Sequence, residues 1–436
     1  MPQLWTNWAG DQQCAPERIA RPGSESELAA EVSAAAEAGQ EVRAVGSGHS
    51  FTDTACTDGL MVDLSRMGCV LEADTDSGRV SVQAGIKLHA LGAELAARGL
   101  ALENQGDIDR QALAGATATA THGTGARFAN LSAQLVGMRL VTATGEVLDL
   151  SADSDPEAFL AARVSVGALG IASVVTLQCV PLFTIHRRDE PGTLDEALDL
   201  LDEHVDGNDH YEFYAFPYSK TVMNRFSERC DCEPVPVSER TLFVREALIE
   251  NRIVDFFGRV GRAVPRAVPT LNRVLGRLVS ADERTDHAYK VYASRREVKF
   301  TEMEYAIPRQ DGREAVRRVM EMIERRRLPV AFPIEVRFAA GDDAFLSTAH
   351  GRDTCYIAVH QYRGMPFESY FRGVEEIMSS YGGRPHWGKR HYRAATLLRE
   401  RYPDWDRFQA VRSRLDPGAA FTNDYVRRTL GPVAAQ

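Results

Sequence analysis

Four stretches of the chain carry residue types that can do chemistry. In residues 330–338, VAFPIEVRF, strand geometry with a period of two sends Phe332, Ile334, Val336 and Phe338 to one face and Glu335 with Arg337 to the other. An ion pair on an exposed sheet face is the plain reading of that pattern, and such a pair is worth little. In residues 355–362, CYIAVHQY, the same alternation puts Tyr356, Ala358 and His360 together, so His360 can join the pair from a neighbouring strand. In HWGKRH, Lys389 and the histidines His386 and His391 surround Trp387 and Gly388, at a spacing that suits neither one helical face nor a zinc set. RAVGSGHSF places His49 directly after a Gly-Ser-Gly turn at the end of an apolar strand. Carboxylate, guanidinium, imidazole and ammonium are the side-chain groups that move protons and balance charge.

Stretches almost free of bulk accompany these residues. Gly46-Ser47-Gly48 leaves successive backbone N–H groups open to a phosphate. The third glycine of a dinucleotide fingerprint and the Gly-Lys-Ser/Thr ending of a P-loop are both missing, which disfavours nicotinamide and ATP. In GDIDRQALAGATATATHGTG, residues 106–125, the run from Ala112 to Ala126 has bulk only at Leu113 and His122, with hydroxyls on Thr117, Thr119 and Thr121 at alternate positions. RVSVGALGIAS, residues 163–173, repeats the texture around Gly170 and Ile171. Any one of these fits tight packing between domains; three in one half-chain favour a long cofactor threaded through it.

The elements that must position these groups follow from composition and periodicity. At 436 residues and 44% apolar content, two packed domains are expected. The net charge of −10, with both signs interspersed, gives no footprint for nucleic acid. No charged leader precedes an apolar core and no apolar run approaches the ~20 residues of a membrane span, so the expectation is a soluble, cytoplasmic protein, free or peripheral to a membrane. Seven scattered cysteines fit reduced thiols, Cys230 and Cys232 forming the one close pair, and no metal is expected. Residues 24–38 open on a Ser24/Glu27 capping pattern and continue as a helix. β-branched runs within the first 180 residues, then aromatic strands and an Arg-rich helix at 313–327, make both halves α+β; residues 221–290 show no assignable pattern.

The ordered set VGSGHSF, GD-x-x-x-Q-x-LAGATATATHGTG, RVSVGALG, IEVR, HWGKRH and LDP-x-x-x-F-x-ND-Y covers nearly the whole chain. It resembles flavoproteins of the vanillyl-alcohol-oxidase type, in the sugar-lactone branch that holds gulono-, galactono- and arabinono-1,4-lactone oxidoreductases. The resemblance implies an FAD-binding domain in two parts, residues 1–180 and a C-terminal return at 411–436, enclosing an α+β cap with an antiparallel sheet at 181–410. It implies FAD joined covalently through His49, with Gly46, Ser47, Gly48, Ser50, Gly106, Asp107, Gly115, Thr117, Thr121, His122, Gly123, Gly125, Gly170, Ile171 and Lys389 as its further contacts. Glu335, Arg337, His360 and Lys389 then line the substrate pocket.

The implied reaction is hydride transfer to flavin N5 from the C2 hydroxyl of an L-gulono- or D-arabinono-1,4-lactone, giving an ascorbate-like product. The alternative is an alditol oxidase acting on a terminal hydroxyl. Arg337 and Lys389 are expected to stabilise negative charge and Glu335 to orient the substrate, with the proton acceptor open among His360, Glu335 and Lys389. The electron acceptor is O₂ or a cytochrome or quinone, and Gly106, where a plant relative has alanine, leans toward O₂.

Overall fold

The computed structural model describes residues 4–238, 241, 251–294 and 296–433. Its fold is α+β. Three short strands, β1 (Arg18–Ala20), β2 (Val42–Val45) and β3 (Leu60–Asp63), pair in parallel in the order β1-β3-β2. Helix α1 (Glu25–Glu37) covers them with Leu28, Val32 and Ala35, and Ser24 caps it by accepting from Glu27 N at 3.2 Å, as the sequence pattern predicts. An antiparallel sheet follows, built from β4 (Val70–Asp74), β5 (Arg79–Gln83), β6 (Leu135–Val141), β7 (Val147–Ser151) and β8 (Ile171–Gln178) in the order β7-β6-β8-β5-β4.

The small-residue run folds as helix α2 (Leu113–Ala118) rather than as extended chain. Its threonines therefore do not present hydroxyls at alternate positions. Thr117 and Thr119 turn back and donate to the carbonyls of Leu113 and Gly115, the usual fate of a hydroxyl on a helix. Helix α3 (Pro156–Arg163) packs beside α2.

The second sheet has eight antiparallel strands: β9 (Thr184–Thr193), β10 (His210–Ala215), β11 (Thr221–Cys230), β12 (Asp282–His287), β13 (Phe300–Pro308), β14 (Ile334–Ala339), β15 (Thr354–Tyr362) and β16 (Arg384–Pro385). Their order is β12-β9-β11-β10-β14-β15-β13-β16. Residues 221–290, without pattern in the sequence, thus supply β11, β12 and the helices α4 (Asn251–Ala263) and α5 (Val268–Leu278); residues 239, 240 and 242–250 lie outside the described residues. Helices α6 (Gly312–Arg326) and α7 (Glu368–Ser380) cover one face of the sheet, where Ile334, Val336 and Phe338 meet Val316, Val319, Ile323, Phe371 and Val374. Phe332 precedes β14 and joins Phe300 and His360 instead, because the strand begins only at Ile334.

The C-terminal segment returns to the first half. Val42 N donates to Ala420 O at 2.8 Å, and the Asn423 amide donates to the carbonyls of Asp53, Thr54 and Cys56. Trp387, Tyr402, Trp405, Phe408 and Tyr425 share one core with Val80, Leu91 and Leu140. Cys230 and Cys232, expected as thiols, are joined as a disulfide, since the end of β11 brings their Cα atoms to 5.2 Å; five cysteines are free. Among the described residues no helix is long and apolar enough to cross a membrane.

Candidate active site

Two cavities meet at the turn after β2. The larger, about 1120 Å³ with its open mouth, is walled by the three stretches singled out for lack of bulk. Gly46, Ser47, Gly48, His49 and Ser50 form one side, Gly115 and Thr117 of α2 another, and Gly170 with Ile171 the floor. A Cβ on Gly46 would stand 2.8 Å from the Ala112 Cβ, Gly48 sits at φ +66°, and a Cβ on Gly115 would project into open space. Among the described residues, the N–H groups of Ser47, Gly48, His49 and Ser50 have no hydrogen-bond partner. Lys87 adds a cation here by donating to Ser47 Oγ at 2.8 Å. Bare backbone donors, one ammonium and walls of Ala and Gly fit a flat dinucleotide with a pyrophosphate.

The smaller cavity, about 690 Å³, shares His49, Ser50, Gln111 and Thr119 with the larger. It lies against the open face of the eight-stranded sheet, where register decides which groups touch. Glu335 pairs with Tyr214 on β10 and with Ala358 on β15, Arg337 with Tyr356, and Glu302 on β13 with His360 on β15. Side chains on one face of adjacent strands stand close enough to interact, and here they form a continuous ionic network. Arg337 donates to Glu212 at 2.6 Å, to Asp107 at 3.3 Å and to Glu335. His360 Nε2 lies 3.3 Å from Glu302 and 3.8 Å from Glu335. Lys389 Nζ sits between Glu302 and Glu304, 2.8 Å from the latter. The structure thus brings together all four residues expected to line the substrate pocket.

The remaining expected contacts separate. Gly106, Asp107, Thr121, His122 and Lys389 wall the smaller cavity. Asp107 spends its carboxylate on Arg296 and Arg337. His122 stacks on Tyr356 at 3.5 Å and reaches Glu304 at 3.2 Å. Gly123 faces a third cavity, and a Cβ there would meet Gln105 O at 2.4 Å. Gly125, at φ +123°, ties the first half to the second by donating to Phe338 O. His122, Glu304 and His386 bring ligand atoms within 4.8 Å of one another, and the Lys389 ammonium supplies positive charge at that point. His391 lies elsewhere, 3.1 Å from the Tyr425 hydroxyl.

Burial and charge separate the titratable groups. Burial raises Glu335 above the ordinary carboxylate range, and Asp107 and Glu212 add to this against the pull of Arg337. Burial alone would raise Glu302 too, but Lys389 and His360 outweigh it and bring Glu302 to about 2; Lys389 and His122 hold Glu304 well below its usual value. Lys389 is itself raised, since Glu302 and Glu304 outweigh its desolvation. His49, stacked on Trp8 at 5.3 Å, is lowered to about 4 by burial and then by Lys299 and Lys87. Glu335 is therefore a carboxyl group tuned toward proton exchange, Lys389 a fixed cation and His49 an uncharged imidazole.

Sequence reasoning missed Glu302, Glu304, Glu212, Tyr214 and Arg296. The first four had a readable signal. Glu302 and Glu304 alternate with the core residues Met303 and Tyr305, as Glu212 and Tyr214 alternate with Phe213. An acid on alternate positions of an otherwise apolar strand marks a polar face opposite a core. Arg296 comes from a loop and had none.

Two family models match: an FAD binding domain over residues 16–151, and D-arabinono-1,4-lactone oxidase over residues 175–429. The chain is 59% identical to an L-gulono-1,4-lactone dehydrogenase of Mycobacterium tuberculosis, covering 99% of this chain and 100% of the relative. It is 35% identical to an L-gulonolactone oxidase of Bos taurus, covering 97% of each, and 29% identical to an alditol oxidase of Streptomyces, covering 98% of each. A solved structure of a solvent-stable cholesterol oxidase superposes with a TM-score of 0.85 over 99% of this chain and 98% of that one, at 17% identity, a likeness of fold.

Proposed function

We propose, for a chain that belongs to the D-arabinono-1,4-lactone oxidase family, FAD-dependent oxidation of the C2 hydroxyl of an aldono-1,4-lactone of the L-gulono or D-arabinono type. The observation that carries this reading is the continuity of a dinucleotide-sized cleft with a charged cavity at His49. FAD, when bound, supplies the acceptor for the hydride. Ser47 to Ser50 and Lys87 would hold it at the glycine turn, and the small residues of α2 would line the cleft beside it. His49 stands at the junction, uncharged at neutral pH and so in its nucleophilic form, which favours a covalent tether from this imidazole.

Within the charged cavity, Glu335 takes the hydroxyl proton, its raised pKa making it a better base than Glu302 or Glu304. Tyr214 links it onward, its hydroxyl lying 3.3 Å from Glu335 and donating to Glu212 at 2.9 Å. Arg337, bound to three carboxylates, orients Glu335 rather than meeting the alkoxide itself. Lys389, on the same cavity wall and paired with two carboxylates rather than three, supplies the positive charge that developing anionic character requires. Trp8 and Phe300 wall one side with apolar rings, and Phe332 packs against Phe300.

Identity to a gulonolactone enzyme is about twice that to an alditol oxidase, which sets the lactone ahead of the polyol as substrate. Gly106, on the wall of the smaller cavity, brings no side chain to it and favours O₂ as acceptor, whereas the 59% identical relative is named a dehydrogenase. The protein is placed in the cytoplasm, free or peripheral to a membrane.

The test is anaerobic stopped-flow mixing of the purified yellow protein with L-gulono-1,4-lactone or xylitol. Bleaching by the lactone at the higher kcat/KM is expected; a colourless protein that takes up no FAD, or preference for xylitol, overturns the reading. Readmission of air then measures reoxidation by O₂. Acid precipitation should leave flavin in the pellet of the wild type and in the supernatant of His49→Ala.

A further inference from the structure

The helices α4 and α5 carry a feature that the site chemistry does not use. Among the described residues nine large hydrophobic side chains are exposed; four of them fall within this pair, Ile253 at 42%, Phe256 at 62%, Val274 at 41% and Leu278 at 63%, and a fifth, Val264 at 52%, lies in the connection between the two helices. Helical spacing explains the arrangement. In α4, Gly258 and Gly261 face inward, where a Cβ would strike the Tyr362 ring at 2.3 Å or Val268 at 3.0 Å. Ile253, Phe256 and Val260 follow one another at i, i+3, i+7 along a neighbouring side. In α5, Val268, Asn272 and Gly276 are buried, while Val274 and Leu278 form the outward apolar row.

The polar rows beside these are almost wholly cationic. Arg252, Arg259, Arg262, Arg266, Arg273 and Arg277 are all exposed, against the single acid Asp255, so residues 251–280 carry six positive charges and one negative in a chain of net −10. A helix with a strong apolar side, an arginine-rich side and low net hydrophobicity lies in the plane of a membrane interface, and negative lipid headgroups hold its basic side.

We infer that the α4/α5 face docks on an anionic lipid surface, with Phe256 and Leu278 entering the headgroup boundary and the six arginines meeting lipid phosphates. A second copy of the chain fits the face poorly, because a two-fold contact would set six arginines against six. A nucleic acid would leave the apolar rows against water. Docking places the charged cavity near the membrane: α4 rests on Tyr362, whose ring stacks on Phe332 at 6.5 Å, and Phe332 lies 6.1 Å from His360. The inference is independent of which hydroxyl the site oxidises.

Flotation of the full-length holoprotein tests it, with vesicles of phosphatidylcholine alone or mixed with phosphatidylglycerol. The protein is expected to float with the mixed vesicles only and to be released by high salt. The double variants Phe256→Glu/Leu278→Glu and Arg273→Glu/Arg277→Glu should each weaken partition by at least about tenfold, with flavin spectrum and turnover in solution unchanged. Failure of the wild type to float, equal binding to neutral vesicles, or flotation that survives both variants overturns the proposal. A dimer seen by light scattering without lipid and abolished by Phe256→Glu/Leu278→Glu assigns the face to a second copy instead. Equal affinity for soluble poly-glutamate reassigns it to an acidic protein partner and likewise overturns it.

Discussion

The two joined cavities are built on opposite principles, and their buried arginines show the difference. Arg43, behind the larger cleft, gives its N–H groups to the backbone carbonyls of Thr54, Val166, Gly167 and Phe421, and burial lowers its pKa to about 10. Arg337, in the smaller cavity, is surrounded by Asp107, Glu212 and Glu335 and is raised well above its usual value despite equal burial. The cleft is shaped by removing side chains and satisfies its cation with neutral dipoles, so the region stays net positive and accepts an anionic ligand. The cavity is shaped by adding charges that neutralise each other, which fixes geometry and tunes protonation.

If that division holds, substitutions in the charged cavity change rates and protonation, and those in the cleft change cofactor retention. The largest effect is expected from Glu335→Gln, which should slow flavin reduction by about 10²–10⁴-fold, the usual worth of a general base, with flavin content unchanged. Loss of flavin in that variant would break the comparison. Lys389→Met leaves Glu302 and Glu304 buried without their cation and should cost about 3–5 kcal/mol of stability in denaturant titrations at neutral pH.

The pH dependence of stability sharpens the same point. Glu302 titrates near 2 in the fold and near the ordinary ~4.3 when unfolded. Its contribution is therefore complete above the unfolded value and is lost as the pH falls through the folded one. Lys389→Met should flatten that acid limb.

A smaller effect follows from Arg337, whose charge holds Glu335 down. Arg337→Met should move the acid limb of the pH–rate profile upward by about 1–3 units, the usual range for losing a close opposite charge. An unmoved limb would assign the base elsewhere. The smallest effect is expected in the cleft. Gly115→Leu projects a side chain into open space without disturbing packed atoms, so circular dichroism should be unchanged while, in the His49→Ala background that lacks the proposed tether, FAD affinity falls at least about tenfold, or ~1.4 kcal/mol.

Much of the site was legible because the relevant signals are local. The glycine turn before His49, the small-residue run and the alternation of Glu335 and Arg337 with core residues are visible in windows of a few residues. The Ala-Thr run misled because alternation of small residues has no apolar period to separate helix from strand, and the helical hydrogen bonds of Thr117 and Thr119 decided it. The α4/α5 segment was opaque for a related reason: exposed apolar rows between arginines fit no buried template.

The sequence by itself determined which residues share a face, since the alternation of Cβ atoms along a strand and their recurrence along a helix are properties of the backbone. Only the tertiary structure decided which faces meet. The order β10-β14-β15-β13 brings the pair Tyr214 and Glu335 and the pair His360 and Glu302 from four distant stretches onto one face, in adjacent rows. Strand order and register depend on how α6 and α7 pack on the opposite face, and they set both the burial that raises the proton affinity of Glu335 and the approach of Lys389 and His360 that depresses that of Glu302. Neither is encoded in any short stretch, because both arise from atoms far apart in the chain competing for the same dry space.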